Sequence, residues 1–233
     1  FVNIAHAAPL NDQAWQAIAP GIDYQVLSYM LTPWSRIHVF RLHLKQHPLK
    51  LVRAKALGRD QAFVKELAQY AQARLAINGW FFDQAFRPLG LRGAQGQPYS
   101  ALRSISWWGV FYVRHGRAAI KRARDVPSVD SMQFGVQSGP RLLVAGNIPL
   151  LKPGRDERTA LGITQTGEVL WVVTENMPLT TTELAEIMKA PPISAWDALN
   201  LDGGSSTQLY ANFTTLKLDK HNAAMVADAV IVA

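Results

Sequence analysis

The sequence predicts an α+β fold with mixed, largely antiparallel sheets and a few packed helices in a single domain. Many short apolar segments are separated by turn residues, whereas only two stretches repeat apolar residues at helical spacing. The chain has no Gly-x-Gly-x-x-Gly motif and no regular alternation of strands and helices, which argues against a doubly wound parallel sheet. Its 233 residues can bury one substantial core. No repeat or linker divides them.

The N-terminal tail is the first element. Residues 1–14 are predicted to be a signal-peptide remnant and a disordered start, because Ala5-His6-Ala7 matches the small-x-small pattern of signal peptidase cleavage. A disordered chain end without an export role is the alternative. Export to the periplasm or out of the cell follows from the first interpretation, with cleavage near Ala7. The domain proper is predicted to occupy residues 15–233.

The next segments are predicted to form a hairpin. After an entry segment over 15–27, residues 36–44 alternate apolar and polar side chains, as half-buried strands do. Residues 49–52 are predicted to be the second strand of this hairpin. Because His38 and His43 point to opposite faces of one strand, both are predicted to be surface or sheet-edge residues rather than a metal pair.

A helix and the first glycine motif follow. Asp60 is predicted to cap a helix whose apolar face includes Phe63, Val64 and Leu67. A short strand over 74–77 then ends at Asn78-Gly79. Residues 86–100 are rich in Gly, Pro and Gln and are predicted to be a long loop.

The second half is predicted to be mainly strands. The capping box formed by Thr180 and Glu183 begins one more helix, which Pro191-Pro192 stops. The predicted strands are 104–113 and 117–121, turning at His115-Gly116; 136–144, with a bend at Gly139-Pro140; the hairpin 158–165 with 168–174; and 206–210, 214–218 and 227–232.

Composition limits the partners. Lys and Arg number 24 against 17 Asp and Glu, a formal net charge of +7, and no apolar run approaches the ~20 residues of a membrane-spanning helix. Basic residues cluster at 114–124 and 152–158. A solvated surface is the first interpretation for Arg117, Lys121, Arg122 and Arg124, and attraction to anionic glycans or phosphorylated polymers the second. Because no nucleic-acid-binding motif accompanies them, nucleic acid is not expected as a partner. The chain has no cysteine, which excludes thiol catalysis and cysteine–zinc sites.

The most informative motif is Asn200-Leu201-Asp202-Gly203-Gly204-Ser205-Ser206-Thr207. An apolar strand delivers one acid, Asp202, to a glycine pair and three hydroxyls. Glycines permit positive φ and close approach of a ligand, and consecutive backbone N–H groups in such a turn bind anions. The motif therefore suits phosphorylated or sugar-like substrates. A tight turn in which Asp202 bonds its own backbone is the alternative.

Three further segments share features with this motif. They are Asn78-Gly79-Trp80-Phe81-Phe82, Ser138-Gly139-Pro140-Arg141-Leu142 and Arg158-Thr159-Ala160-Leu161-Gly162. Together, and in this order, the four segments resemble those of the phosphodiester glycosidase family over about residue 35 to the end. The resemblance implies a hydrolase that cleaves a sugar-1-phosphodiester of the GlcNAc-1-phosphate type at the anomeric carbon, in cell-envelope or exopolysaccharide metabolism.

The resemblance also implies roles for individual residues. Asp202 is the first choice for the reactive carboxylate, as nucleophile, general base or metal ligand, and Glu175 is the reserve carboxylate and its expected partner. No cofactor is assigned with certainty, and a divalent metal, if one binds, is expected at Asp202. The residues expected to bind the sugar-phosphate or anionic glycan substrate are Asn78, Gly79, Arg141, Arg158, Thr159, Gly203, Gly204, Ser205 and Ser206.

Three departures from the family pattern keep other functions open. Trp80 and Ser205 replace glycines, and Ala224-Met225-Val226 lacks the arginine that is common near the last strand. These changes motivate a second hypothesis, a non-catalytic glycan- or phosphoglycan-binding module on the same fold. A scaffolding protein of envelope assembly is the third. Asp83 and Asp197 are weaker acid candidates, and one of Trp80, Phe81 and Phe82 is expected to face the ligand.

Overall fold

Over the described residues, twenty strands form four antiparallel sheets, and two helices pack on them. The computed structural model describes residues 11–12, 14–28 and 32–232. The predictions about Ala7 and the rest of residues 1–10 lie outside the described residues. The helices are α1 (Val64–Tyr70) and α2 (Thr181–Lys189). The strands are β1 (Asn11–Asp12), β2 (Gln16–Ala19), β3 (Ile22–Ser28), β4 (Arg36–Leu42), β5 (Lys50–Arg53), β6 (Leu75–Asn78), β7 (Arg92–Ala94), β8 (Gln97–Ser100), β9 (Gly109–Arg114), β10 (Arg117–Lys121), β11 (Phe134–Ser138), β12 (Arg141–Leu143), β13 (Arg155–Asp156), β14 (Thr159–Thr164), β15 (Val169–Glu175), β16 (Leu179–Thr180), β17 (Ala195–Asn200), β18 (Leu209–Asn212), β19 (Lys217–Lys220) and β20 (Asp228–Val232).

The largest sheet has the order β1-β3-β4-β15-β14-β17-β12, with β2 paired to β3. Two five-stranded sheets have the orders β10-β9-β11-β7-β8 and β19-β18-β6-β20-β5, and β13 pairs with β16. The sheets pack because each presents apolar side chains at every second position. One core, which includes Phe40, Trp171, Phe134 and Ile77, lies between the large sheet and both five-stranded sheets.

The two helices cover the outer sheet faces. Leu184, Ile187 and Met188 of α2 pack on the large sheet, and Val64 and Leu67 of α1 pack on the sheet that contains β6. Since the two helices are only seven and nine residues long, the fold is mainly β. The prediction of largely antiparallel sheets is confirmed, whereas the expected share of helix was too large. Neither helix among the described residues has the length and apolar character needed to cross a bilayer.

Several local predictions are confirmed. β14 and β15 form the expected hairpin, and β9 and β10 turn at His115-Gly116. The capping box of α2 is present: the Thr180 hydroxyl accepts from the Glu183 N–H at 3.1 Å, and Glu183 accepts from the Thr180 N–H at 2.8 Å.

Other local predictions were wrong. β4 and β5 do not form a hairpin, because β5 pairs with β20 in a different sheet. Asp60 does not cap α1, because the helix begins four residues later, at Val64. The N-cap residue is Phe63, whose N–H donates to the Glu66 side chain at 2.9 Å. The predicted loop over 86–100 contains the hairpin β7–β8. The predicted strand 136–144 is divided at Gly139-Pro140 into β11 and β12, which belong to different sheets.

Strand ends from two sheets meet at one edge of the fold, which we call the rim. β6 ends there at Asn78, β14 begins at Thr159, and β17 ends at Asn200, two residues before Asp202. Cross-strand pairing sets this meeting point, since Asn78 lies opposite Ala229 and Ala160 lies opposite Asn200. The antiparallel topology therefore brings together motif segments that are far apart in sequence.

Candidate functional site

Asn78 joins the sheets at the rim. Its side chain is fully buried. The amide Nδ2 donates to the backbone oxygen of Asp202 at 2.8 Å, and Oδ1 accepts from the Thr159 hydroxyl at 2.7 Å and from the Gln208 N–H at 3.1 Å. Because these internal bonds use both ends of the amide, Asn78 positions the Asp202 segment. Direct contact of Asn78 and Thr159 with substrate stays a prediction.

Asp202 lies just beyond β17 with its carboxylate partly exposed. Burial raises the pKa of this carboxyl above its usual value, and hydrogen bonds from Ser206 and from the Gly203 N–H oppose the shift. The Gly203 N–H donates to Oδ1 at 3.0 Å. The result is a fixed carboxylate whose proton affinity is increased, which suits a general base or a nucleophile at the edge of a dry site.

The glycine turn after Asp202 packs tightly on the segment before β14. A Cβ at Gly203 would lie 2.6 Å from the Glu157 carbonyl oxygen, and Gly204 adopts a φ of +59°. The N–H groups of Gly203, Gly204, Ser206 and Thr207 all donate inside the protein. The expected open row of N–H donors is therefore largely absent, and the Ser205 side chain is the exposed polar group of the turn.

A charged network that sequence analysis missed supports this turn. Glu157 Oε2 accepts from Asn222 at 2.6 Å and pairs with Lys220, while Oε1 accepts from the Asn176 N–H at 2.7 Å. Asn222 also donates to the Gly204 carbonyl at 2.7 Å. Burial lowers the pKa of Lys220, and the charge of Glu157 opposes that shift. The network holds residues 157 and 204 at a fixed separation.

A second missed group is a buried ion pair beneath the rim. Arg92 Nε lies 3.4 Å from Asp228 Oδ2, and both side chains are almost fully buried. The Tyr99 hydroxyl donates to the same Asp228 oxygen at 3.2 Å. Arg92 also donates to carbonyl oxygens, including that of Gln137 at 3.0 Å. The sequence did contain a sign of this pair. Asp228 is the one charged residue of the otherwise apolar strand β20, and a charge buried in such a strand requires a partner.

This pair changes the interpretation of two family departures. An arginine does lie against the last strand, β20. It is Arg92 of β7 rather than a residue of the segment 224–226. The Trp80 ring is buried in the core and lies beneath the Arg92 guanidinium, 5.0 Å from ring centroid to Cζ. Its bulk therefore fills the interior rather than the exposed rim. Asp228 packs on Gly79, where a Cβ would lie 1.9 Å from Oδ1, so a larger residue at this position would displace the buried Asp228 side chain.

Glu175 belongs to a hydrogen-bonded chain at the end of β15. Its Oε2 lies 3.0 Å from His38 Nε2, and His38 Nδ1 lies 2.8 Å from the Tyr24 hydroxyl. The hydrogen bond from His38 is the main cause of a lowered pKa at Glu175. The expectation that His38 is a surface residue was wrong, because it is 2% exposed; His43 is exposed as expected. The hydrogen-bonded partner of Glu175 is His38, not Asp202.

The two predicted arginines are placed differently. Arg158 adjoins Gly203 through its backbone, but its guanidinium donates to the carbonyls of Leu179 at 2.8 Å and Gly154 at 2.6 Å. Burial lowers the pKa of Arg158. Arg141 begins β12 opposite Leu199 and is partly exposed. A role in phosphate binding stays a prediction for both.

The remaining acid candidates have local partners. Asp83 caps its own turn by accepting from the N–H groups of Ala85 and Arg87, and Asp197 accepts from the Ala145 N–H. Among the residues described by the structure, no group of three or more histidine or acidic side chains is arranged to hold a metal ion.

Solved structures share the layered antiparallel fold of this chain. One is the catalytic domain of zebrafish N-acetylglucosamine-1-phosphodiester alpha-N-acetylglucosaminidase, auto-inhibited by its pro-peptide, at a TM-score of 0.70 and 14% identity over 95% of this chain and 86% of that one. Another is a Synechocystis protein, at a TM-score of 0.68 and 17% identity over 97% and 64% of the two chains.

The family itself is shown by sequence. A model of the family described as phosphodiester glycosidase matches residues 71–233, and the chain belongs to this family. The uncharacterised protein YigE of Escherichia coli strain K12 is 29% identical over 133 residues, which are 52% of each chain. The chain thus spans about half the length of that relative.

Proposed function

We propose that this protein hydrolyses a sugar-1-phosphodiester of the GlcNAc-1-phosphate type at the anomeric carbon, with Asp202 as the reactive carboxylate. The observation that carries the proposal is the placement of Asp202: a partly exposed acid whose pKa is raised, in a segment that Asn78 holds where two sheets meet. Membership of the phosphodiester glycosidase family supports the reaction class.

The chemistry explains why one carboxylate suffices. An ordinary glycosidase needs a second acid to protonate an alkoxide leaving group. A phosphomonoester leaves as a stable anion, with a second pKa of about 6. The C–O bond at the anomeric carbon therefore breaks with its electron pair on the phosphate oxygen. Asp202 then needs only to deliver the nucleophile, as a base that takes the proton of attacking water or as the attacking group itself.

Glu175 is proposed as an electrostatic residue of the same rim. His38 holds it ionised, so at neutral pH it is a fixed negative charge rather than an acid. Such a charge stabilises the positive character that develops on the sugar ring in the transition state. The pKa of Glu175 is lowered and that of Asp202 is raised, as expected when two acids of one site have different roles.

Turnover of defined substrates tests the proposal. UDP-GlcNAc and an aryl GlcNAc-1-phosphodiester are incubated with the protein, with and without chelator, and released sugar is measured. We expect Asp202→Asn to lower kcat/KM by about a thousandfold or more, as loss of an essential group does. Asp83→Asn is the matched control, since Asp83 also caps a turn, and it should change turnover less than twofold. If Asp202→Asn keeps near-parent turnover while Glu175→Gln abolishes it, the assignment of the reactive acid is wrong.

The second candidate is a glycan-binding module without catalysis. The internal use of four N–H groups and of the Arg158 guanidinium favours it, because these groups are then not free to stabilise the charge that develops on the departing phosphate in the transition state. A parent protein that binds the sugar phosphodiester but releases no product under all the conditions above would establish the module and refute the hydrolase.

Export is proposed on the sequence of the N-terminus. The apolar segment before Ala7 and its small-x-small pattern favour periplasmic or secreted protein. N-terminal sequencing of the protein from its native host tests this. A new N-terminus near residue 8 is expected, and recovery of an unprocessed chain from the cytoplasm would refute export.

A further inference from the structure

A basic cleft between the segments that precede β9 and follow β10 has no part in the mechanism above. We call it the arginine cleft; it holds about 260 Å³ and is lined by Ser104, Ile105, Ser106, Arg122, Ala123 and Arg124. Both serines and both arginines are exposed. Its size is below the ~300–1,000 Å³ of typical small-molecule sites, which fits one charged sugar unit better than a long segment.

Arg141 joins the cleft electrostatically to the rim. Burial lowers the pKa of Arg141, and the charges of Arg122 and Arg124 lower it further, whereas Asp125 and Asp197 oppose the shift. The positive charges of Arg122 and Arg124 therefore act on the Arg141 guanidinium. Among the described residues, the buried Nε atom of Arg141 has no hydrogen-bond partner. A bound anion would offset this repulsion.

Aromatic side chains connect the cleft to Asn78. The Trp107 ring is 56% exposed and meets Trp108 edge-on, with centroids 5.7 Å apart. Trp108 lies 5.4 Å from Phe81, which follows the Asn78-Gly79 end of β6. The Arg141 N–H donates to the Trp107 carbonyl at 3.4 Å. Since Arg141 also lies opposite Leu199 of β17, its backbone links the exposed Trp107 to the strand that ends at the rim.

We propose that the arginine cleft and Trp107 form an extended subsite for an anionic oligosaccharide, so that the substrate is a charged glycan polymer rather than a short sugar phosphodiester. This inference rests on the proposed function for the rim. The indole face offers apolar contact to the C–H face of a sugar ring, while the guanidinium groups bind its carboxylate or phosphate. Single-stranded nucleic acid is disfavoured, since it needs several exposed aromatic side chains in succession along a basic groove.

Binding measured by calorimetry tests the subsite independently of catalysis. Four probes are titrated at 50 and 200 mM salt: hexagalacturonate, a phosphorylated mannopentaose, neutral chitohexaose and an oligo-dT of 20 nucleotides. We expect one or both anionic sugars to bind at least tenfold tighter than chitohexaose, and more weakly at high salt. The two anionic probes distinguish a carboxylate from a phosphate as the recognised group.

Paired variants locate the site. Arg122→Gln with Arg124→Gln should weaken binding of the anionic sugar by about tenfold or more, and Trp107→Ala by about fivefold. The matched control is Arg114→Gln with Arg117→Gln, an equal loss of exposed charge at the β9–β10 turn, which should change binding less than twofold. All replaced side chains are exposed, so the thermal midpoint should stay near that of the parent.

Each other outcome has a definite meaning. Equal weakening by the control pair would show attraction by net charge alone and overturn the subsite, as would an absence of binding by every sugar. Tighter binding of oligo-dT, lost in the cleft variants, would make the surface a nucleic-acid site. Turnover of the short aryl substrate should be unchanged in the cleft variants. If that turnover is absent in the parent while anionic sugar still binds at the cleft, the proposed hydrolase fails and the subsite stands.

Discussion

Replacing Asn78 with alanine tests whether this residue holds the candidate site together. The substitution removes the acceptor for the Thr159 hydroxyl and the Gln208 N–H, and the donor to the Asp202 carbonyl. Thr159, Gln208 and Asn78 are at most 1% exposed, so water does not replace the lost bonds without local opening. The site would lose its only described tie between β6 and the Asp202 segment.

The magnitude follows from the number of groups left unsatisfied. A buried polar group without its partner costs about 1–3 kcal/mol. Four groups lose a partner, the fourth being the Gly79 carbonyl at 3.3 Å from Nδ2. Because that bond is long and the Thr159 hydroxyl can rotate toward another acceptor, we expect a loss of about 3–6 kcal/mol. That is a large fraction of the ~5–15 kcal/mol by which domains are stable.

Urea unfolding of parent and variant measures this loss. Asn212→Ala is the control, because Asn212 ends β18 with an exposed side chain and should cost no more than about 0.5 kcal/mol. The Asn78→Asp variant adds a test by pH. It keeps the acceptor oxygen but replaces the donating Nδ2 with a carboxylate oxygen, which then faces the Asp202 carbonyl. It should therefore be strongly destabilised at pH 7 and recover on acidification, when the carboxyl protonates and donates again. A loss within about 1 kcal/mol for Asn78→Ala would refute the positioning role.

Three further predictions concern charges at the rim. Asp202→Asn should stabilise the fold at pH 7, because burial raises the pKa of this carboxyl and its charge therefore costs stability above the unfolded value of about 3.9. Thermal unfolding should show this gain shrinking as pH falls through the folded-state pKa, and a gain independent of pH would contradict the reasoning. Asp228→Asn should lower the free energy of unfolding in urea by about 3–5 kcal/mol, since it leaves Arg92 buried without its ionic partner; a loss no greater than that of Asp83→Asn would disprove it. His38→Phe should raise the pKa of Glu175 in an NMR titration, because the His38 hydrogen bond is the main cause of its lowered value, and an unchanged titration would exclude that cause.

Local patterns in the sequence predicted the elements that local forces form. The capping box of Thr180 and Glu183 and the hairpin of β14 with β15 depend on residues a few positions apart, and both are confirmed. The prediction that β4 and β5 pair with each other was wrong. Alternation of apolar and polar residues indicates that a strand is half-buried, but it does not indicate which strand pairs with it. The buried position of His38 was missed for a related reason: its partners Tyr24 and Glu175 come from two other strands.

The sequence by itself determined the family, the antiparallel strands and the identity of Asp202 as the acid after a buried strand. Tertiary structure alone decided which groups remain available for chemistry. It showed that the amide of Asn78 and the N–H groups of the glycine turn are used internally. It also brought Arg92 from β7 to Asp228 on the last strand. The physical reason is that a residue type fixes what a side chain can bond, whereas the partners it meets depend on pairings between distant parts of the chain.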